Sequence, residues 1–371
     1  MLATRGNLYC FLIILLIVPI CSSNFCVRTD LYCYYAKENQ QYCSRGDYDD
    51  SLIGETWEDP VKEQFKQRKA MASNGLYRPR SALARAFLEK QRNDRTLQEF
   101  DKSEWYRVDS SRLSPELKST FVQLHADEET KSFLSSSIEK SSWVWTQIWY
   151  LLAKAVLKHF WSITDINGWL KRGSMFVLSE AQARSLLHAA RSGPEGTGSL
   201  VDVGAGDGEV SRRFAHLYAD KYATEISSSM RKTLASKGYK LLDPEDWWRS
   251  QKFDCVCMLN LLDRCSRPRS MLRDARAALT PDGLLIVALV LPYKPYVEVT
   301  ADHKPEERLA IQGGTFEEQA SSFAASMRGA GWALRAWARA PYLCEGDFAQ
   351  AYYWLDDSVY VFQPVPIEPG Q

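Results

Sequence analysis

The sequence predicts a doubly wound α/β fold, and three observations carry that expectation. From Ser199 onward, short apolar runs rich in Val, Leu and Ile alternate with helix-like segments, the order that builds a parallel sheet covered on both faces. The first run leads into "VDVGAGDGEV", Val201 to Val210, in which Gly204, Gly206 and Gly208 alternate. A glycine loop between a strand and a helix lets a ligand approach the backbone closely. About twenty residues further on, the strand "YATE" ends in Glu225, where a carboxylate meets the ribose hydroxyls of a bound nucleoside.

Taken in order, the chain opens with Arg5, the apolar run Leu8 to Ile20 and the small residues Cys21, Ser22 and Ser23. The run is shorter than the roughly 18 to 20 residues of a spanning helix, so residues 1–23 read as a signal peptide, with a signal anchor as the alternative. Either one places the chain in the secretory pathway, in the endoplasmic reticulum ahead of mitochondria or secretion. Residues 24–110 are charged and broken and read as a variable, partly disordered extension with one helix around Ser81 to Gln91. Residues 111–192 form an N-terminal helical region. There "SPELKSTFVQLHADEETKSFL" opens with Ser114 as cap and Pro115 in the first turn.

The next helix, "SSWVWTQIWYLLAKAVLKHFW", is apolar almost all round and is expected to be buried against the main domain. A peripheral membrane contact through 143–161 is the alternative, with Trp143, Trp145, Trp149 and Trp161 as an interfacial set that Lys154 and Lys158 interrupt. After the linker "RSGPEGTG", the core at 193–366 supplies "SLVDVG", "KYATEI", "YKLL", "FDCVCMLNLL" and "LLIVALVLP" as strands with helices between them. "WALRAWARA" and "DDSVYVFQP" follow as an antiparallel pair at the sheet edge, because their connection is too short for a crossover helix.

The 371 residues are 45% hydrophobic and 12% aromatic, enough for a sizeable core. With 46 basic and 46 acidic side chains, no electrostatic argument makes nucleic acid a partner, and none is expected. Once a signal is removed, Cys26, Cys33 and Cys43 remain as an odd set compatible with one disulfide and one free thiol. Cys255 and Cys257 share one strand face and read as core packing, and no metal site is expected.

The loop is G-x-G-x-G, with Glu209 where a dinucleotide fingerprint carries its third glycine. Asp202 together with Gly204-Ala-Gly206-Asp207-Gly208 resembles motif I of the seven-stranded methyltransferases, which implies S-adenosyl-L-methionine as cofactor. Glu225 alone could equally cap the helix "ISSSM". Asp243 or Asp246 could reach the adenine amino group, and both read equally as solvated loop acids. Asn260 and Asp263 follow the strand "FDCVCML" at its carboxyl end, where ligands bind in such sheets; capping of the next helix is the plainer role for Asp263.

Several stretches together, "SIEKSSW", "INGWLKRGSMFVLS", "VDVGAGDGEV", "YATEIS", "LNLLDRC", "ALVLPYKPYVE" and "PYLCEGDFAQAYYWLDDSVYVF", are similar to the DREV methyltransferase-like family from about Trp105 to Pro364. Its characterised member is a protein-histidine N-pros-methyltransferase acting on alternating histidine motifs. The resemblance implies a seven-stranded, Rossmann-like class I fold with an N-terminal helical extension. It implies that Asp202, Gly204, Gly206, Glu225 and Asn260 bind the cofactor. It also implies that Asn260, Asp263 and Tyr342 form the histidine pocket, and that Arg172, Gly173 and Ser174 close over the cofactor. The implied activity is methyl transfer to the pros nitrogen of histidine in His-x-His motifs of protein substrates. The alternatives are methylation of a small molecule or another side chain, and a catalytically silent binding protein on the same scaffold. The chain's own five histidines include no His-x-His pair, so automethylation at that motif is not expected.

Overall fold

The computed structural model describes residues 81–365, apart from 158, 161–162, 171, 191–196, 298–299 and 301. The amino-terminal apolar run, Cys26, Cys33 and Cys43 lie outside the described residues, as does most of the "RSGPEGTG" linker. The chain begins with α1 (Ala82–Glu99), two 3-10 turns at Lys102–Tyr106 and Ser110–Arg112, and α2 (Pro115–Thr120). Next come α3 (Glu128–Ser142), α4 (Val144–Leu157), α5 (Ile163–Leu170), β1 (Met175–Phe176) and α6 (Glu180–Ala189). The alternating part runs β2 (Ser199–Val203), α7 (Arg212–Ala215), β3 (Asp220–Thr224), α8 (Ser228–Ser236), β4 (Lys240–Leu242), α9 (Trp247–Ser250), β5 (Phe253–Leu259), α10 (Pro268–Ala278) and β6 (Leu279–Val290). It closes with α11 (Phe316–Gly329), β7 (Trp332–Glu345) and β8 (Tyr352–Pro364).

One sheet has the strand order β1-β7-β8-β6-β5-β2-β3-β4. The strands β2 to β6 pair in parallel with their neighbours. β8 runs antiparallel between β6 and β7. The seven strands β2 to β8 are those expected from the sequence, and the hairpin is the expected antiparallel pair, although β8 is inserted inside β7 rather than added outside it. The eighth strand, β1, has two residues and pairs antiparallel with β7 at Cys344 and Leu343. A run this short carries no periodic signal, and the pairing alone makes it a strand.

Side chains alternate across the strands and give the sheet two packed faces. One buries Leu200, Cys255, Cys257, Ile286, Ala288, Tyr342 and Leu355 under Leu186 of α6 and Leu97 of α1. Cys255 and Cys257 are buried with their sulfurs 4.0 Å apart, the packing role expected of them. The other face buries Val201, Val256, Met258, Leu289, Trp337 and Tyr360 under Leu272 of α10 and Phe323 and Met327 of α11.

Three regions depart from expectation. The segment before 110 reads as broken, yet α1 continues to Glu99, and Leu97, Trp105 and Tyr106 join the sheet's core. The helix expected from Ser114 divides in two. Phe121 breaks away to bridge Trp337, and the Val122 amide donates to the Trp337 carbonyl at 2.8 Å. Asp127 then starts α3 afresh by accepting from the Thr130 amide; a cap and a strand contact outweigh helix periodicity here. Finally, α4 is not buried against the main domain. Its buried residues are Gln147 and Ala153, and Trp145 stands 83% exposed, with Trp143, Leu152 and Val156 also exposed.

Trp337 ties the extension to the sheet. It is fully buried, donates Nε1–H to the Leu117 carbonyl at 2.8 Å, and lies against Phe121 and Tyr360. Trp337→Ala is expected to lower unfolding stability by about 3–5 kcal/mol, read by chemical denaturation. A loss below about 1 kcal/mol would show that α2 and the sheet are not joined there.

Candidate active site

The carboxyl ends of β2, β3 and β5 lie side by side because those strands are parallel neighbours, which brings their following turns together. The glycine loop leaves β2 pinned to the end of β3. The Gly204 and Ala205 amides donate to the Thr224 carbonyl at 3.1 and 3.0 Å, and Gly204 donates also to the Thr224 hydroxyl at 3.1 Å. Gly204 has φ +71, and a Cβ there would lie 2.7 Å from Leu261 Cδ1 in the turn after β5. The loop therefore touches the third strand's turn as well, and only glycine meets both demands. Gly206 differs. Its φ is +56, and a Cβ would meet nothing within 4 Å, so its bare backbone borders open space.

Glu225 closes the other side of this cradle. One carboxylate oxygen accepts from the Gly206 amide at 2.9 Å, and the other accepts from the Ile226 and Ser227 amides at 2.8 Å each. Capping of the next helix falls instead to Ser227, which accepts from the Met230 amide. Ile226, beside this acid, is 82% exposed and offers an apolar face for a planar ring. Asp202, expected at the cofactor, is buried inside β2. Burial pushes its carboxyl up to about 7, with Glu225 and Asp207 adding to the rise and the Ser211 hydrogen bond opposing it. Asp243 and Asp246 are both exposed in the loop after β4.

Asn260 stands at the first position beyond β5 with φ 55, a left-handed conformation that Asn tolerates better than most residues. Its amide N–H donates to the Ala288 carbonyl, and its Nδ2 donates to Asp357 Oδ2 at 3.0 Å. Asp263 follows three residues later, almost fully buried, and burial raises its carboxyl above the usual range while Arg264 opposes the rise. Asp263 does not cap α10; that helix begins at Arg267 without a side-chain cap. Among the described residues, Asn260 Oδ1 and Asp263 Oδ1 are both buried without a hydrogen-bond partner. Such orphan acceptors are costly unless a ligand meets them.

Tyr342 lies on the same sheet face as the buried Ala288 and Leu355. Its hydroxyl donates to the Met175 sulfur of β1 at 2.6 Å. The segment Arg172 to Ser174 is brought to the end of β7. Arg172 pairs with Glu345 at 3.7 Å, donates to Gln147 at 2.8 Å and to the Gly346 carbonyl, and lies over the Tyr150 ring. Gly173 has φ +78 and lies against Asn167. Ser174 lines a cavity of about 260 Å³ with Arg212 and Arg213, the residues just after the glycine loop. The expected closing segment therefore reaches the loop's side through its serine, while its arginine holds β7.

Sequence reasoning missed Thr224, Ile226 and above all Asp357. The signal for Asp357 is present: an acidic pair interrupts "YYWLDDSVYVF", an otherwise apolar strand, where an acid needs a reason. Asp356 finds Arg339 at 3.0 Å on one face. Asp357, fully buried on the other, finds Asn260.

A parallel sheet in this order, with a glycine loop after its first parallel strand and an acid after the second, defines a class I S-adenosylmethionine-dependent methyltransferase. The loop, the Gly206 opening, Glu225 and the orphan acceptors beyond β5 fit that cofactor. Residues 105–364 match the DREV methyltransferase family, and the chain belongs to it. It is also 26% identical over 129 residues to the uncharacterized protein MJ1123 of Methanocaldococcus jannaschii, a match covering 34% of this chain and 58% of that protein. Among solved structures, a putative RNA methyltransferase from Pyrococcus horikoshii aligns at 14% identity and a TM-score of 0.35, over 50% of this chain and 85% of its own. The DhpI–SAH complex aligns at 13% and 0.34, over 63% and 98%.

Gly206→Ala separates binding from folding. The left-handed backbone costs roughly 1–2 kcal/mol, while the methyl projects into the open cradle. Calorimetry with S-adenosylhomocysteine is expected to show at least a tenfold weaker Kd, beside a loss of only about 1–2 kcal/mol in denaturation. An unchanged Kd would move the cofactor away from this loop.

Proposed function

We propose that the chain transfers a methyl group from S-adenosylmethionine to the pros nitrogen of histidine in His-x-His motifs of protein partners. The observation that carries this reading is the pair of buried, unpartnered acceptors, Asp263 Oδ1 and Asn260 Oδ1, in the turn that packs against the glycine loop. A site of acceptors suits a substrate that brings an N–H donor. A neutral imidazole brings one and keeps a lone pair on its other nitrogen, so no strong base is needed.

When bound, S-adenosylmethionine supplies a methyl group on a cationic sulfur that leaves as a neutral thioether. Asp263 accepts the far ring N–H of the substrate, which fixes the tautomer and leaves the near nitrogen's electron pair free to form the new N–C bond. The ring becomes cationic as that bond forms, and the Asp263 carboxylate stabilises the charge. The proton then leaves from the far nitrogen, by way of Asp263, to solvent. Asn260 and Tyr342 hold the ring's orientation. Glu225 and the bare backbone at Gly206 hold the nucleoside.

A peptide of alternating His and Ala is expected to accept labelled methyl where the same peptide with Lys or Arg does not. Asp263→Ala should lower transfer roughly ten- to a hundredfold, the loss of a charge-assisted hydrogen bond. Label on neither peptide, with cofactor binding intact, would turn the reading toward a small-molecule substrate or a silent scaffold.

The Leu8 to Ile20 run supports partners in the secretory pathway, first in the endoplasmic reticulum. A bilayer surface is the second partner. Trp143, Trp145, Phe160 and Trp169 are each exposed, with Lys140 and Lys154 near them in sequence, a mixture that suits a lipid interface. No described helix is long and apolar enough to cross a membrane. For residues 24–371, Trp145→Ser with Phe160→Ser is expected to weaken co-sedimentation with anionic vesicles at least tenfold, since each ring contributes about 1.5–3 kcal/mol when buried. Equal sedimentation of variant and parent would remove the bilayer from the proposal.

A further inference from the structure

Asp357 has no place in the scheme above, yet it is the acid that touches the site's amide. It comes from β8, the antiparallel strand, and it is fully buried. Both oxygens are engaged: Oδ2 accepts from Asn260 Nδ2 at 3.0 Å, and Oδ1 accepts from the Ser358 amide at 2.9 Å. An amide has two unlike ends. With its NH2 end taken by Asp357, the carbonyl end of Asn260 is turned the other way, and that oxygen is buried without a partner.

We infer that Asp357 is a positioning residue: it holds Asn260 by its NH2 end, so that the carbonyl oxygen of Asn260, not its NH2 group, is presented to the substrate. What the oxygen faces rests on the histidine reading above; the Asn260–Asp357 bond does not. An oxygen carries partial negative charge toward a ring that becomes cationic, and it acts beside Asp263. The reversed amide would present two N–H donors to the same developing charge. Asp357 also anchors Asn260 in its left-handed backbone, a conformation that needs support from its surroundings.

The groups bearing on Asp357 are few. Asp263 lies near enough to raise it further, burial being the larger cause, and the Asn260 and Ser358 donors oppose the rise; the carboxyl is pushed up to about 8. Tyr360 of the same strand feels its charge in turn. Of the two cations of neighbouring β7, Arg339 is engaged by Asp356 and Arg335 by Gln363.

Asp357→Asn tests the inference with little change in shape. The new residue can keep an oxygen on the Ser358 amide only by turning its own NH2 toward Asn260, which must then reverse to accept it. In the full chain, with an alternating His and Ala peptide, kcat is expected to fall about ten- to a hundredfold, the scale of a misplaced site group. The second readout needs no activity. In the wild-type chain labelled with 15N-asparagine, the Asn260 side-chain NH2 signal, identified by its loss in Asn260→Ser, should shift in one step well above the ordinary carboxylate range. The step should vanish in Asp357→Asn. A wild-type Asn260 signal that does not titrate, or a variant kcat equal to wild type, overturns the inference. If wild type transfers nothing to histidine, the substrate reading fails, and the NMR titration alone decides for or against the Asp357 contact.

Discussion

The carboxyl end of the sheet depends on how the glycine loop is fastened to the strand beside it. Two consecutive amides share the Thr224 carbonyl, a third bond runs to the Thr224 hydroxyl, and Gly206 reaches the Glu225 carboxylate. A backbone turning left-handed at Gly204 and again at Gly206 satisfies these bonds, and no side chain stands in the space they enclose at Gly206. Because β2 lies between β3 and β5, the same fastening fixes the distance between the acid after β3 and the amide after β5. The loop thus acts as a ruler for the site. Folding and binding share it, since the bonds that end the strand also shape the cradle.

A second constraint joins the two unlike halves of the sheet. The parallel half carries the glycine loop, Glu225 and Asn260, and the antiparallel hairpin carries Asp357 and Tyr342. Burial of Asp202, Asp263 and Asp357 leaves three carboxyls in surroundings that favour the neutral form. The hairpin's Asp356 and Glu345 face Arg339 at 3.0 Å and Arg172 at 3.7 Å, and Asp263 has Arg264 at 3.8 Å, whereas no ion pair reaches Asp202 or Asp357 among the described residues. A core that served stability alone would not carry buried acids without a cation. Asp357, which feels the charge of Asp263 and holds Asn260, marks where the structure gives up stability for chemistry.

Much of this was legible in the sequence. Strand periodicity, the glycine spacing and Glu225 are local signals, and they placed seven strands and the cradle. The Ser114 cap was legible for the same reason, since it acts within three residues of itself. What escaped depends on partners far along the chain. Phe121 leaves its helix for Trp337, more than two hundred residues away, and β1 is a strand only because β7 is beside it. The exposure of α4 escaped because an all-round apolar helix reads the same whether protein or something else covers it. Asp357 was visible as an oddity in an apolar strand, but its role needed the partner that the register of β6 and β8 delivers.

The hairpin between β7 and β8 turns over residues held from an unexpected quarter. Asn93 of α1 donates to the Ala349 carbonyl, Asp94 accepts the Ala351 amide, and the Tyr352 hydroxyl reaches the Leu97 carbonyl. Yet α1 lies before residue 105, where the family resemblance begins. The boundary drawn by shared ancestry therefore cuts through a working joint. The segment ahead of the matched span is therefore structural, since three of its residues hold the turn of this hairpin. A segment of this kind can stiffen the β7–β8 hairpin from outside without altering a residue of the glycine loop.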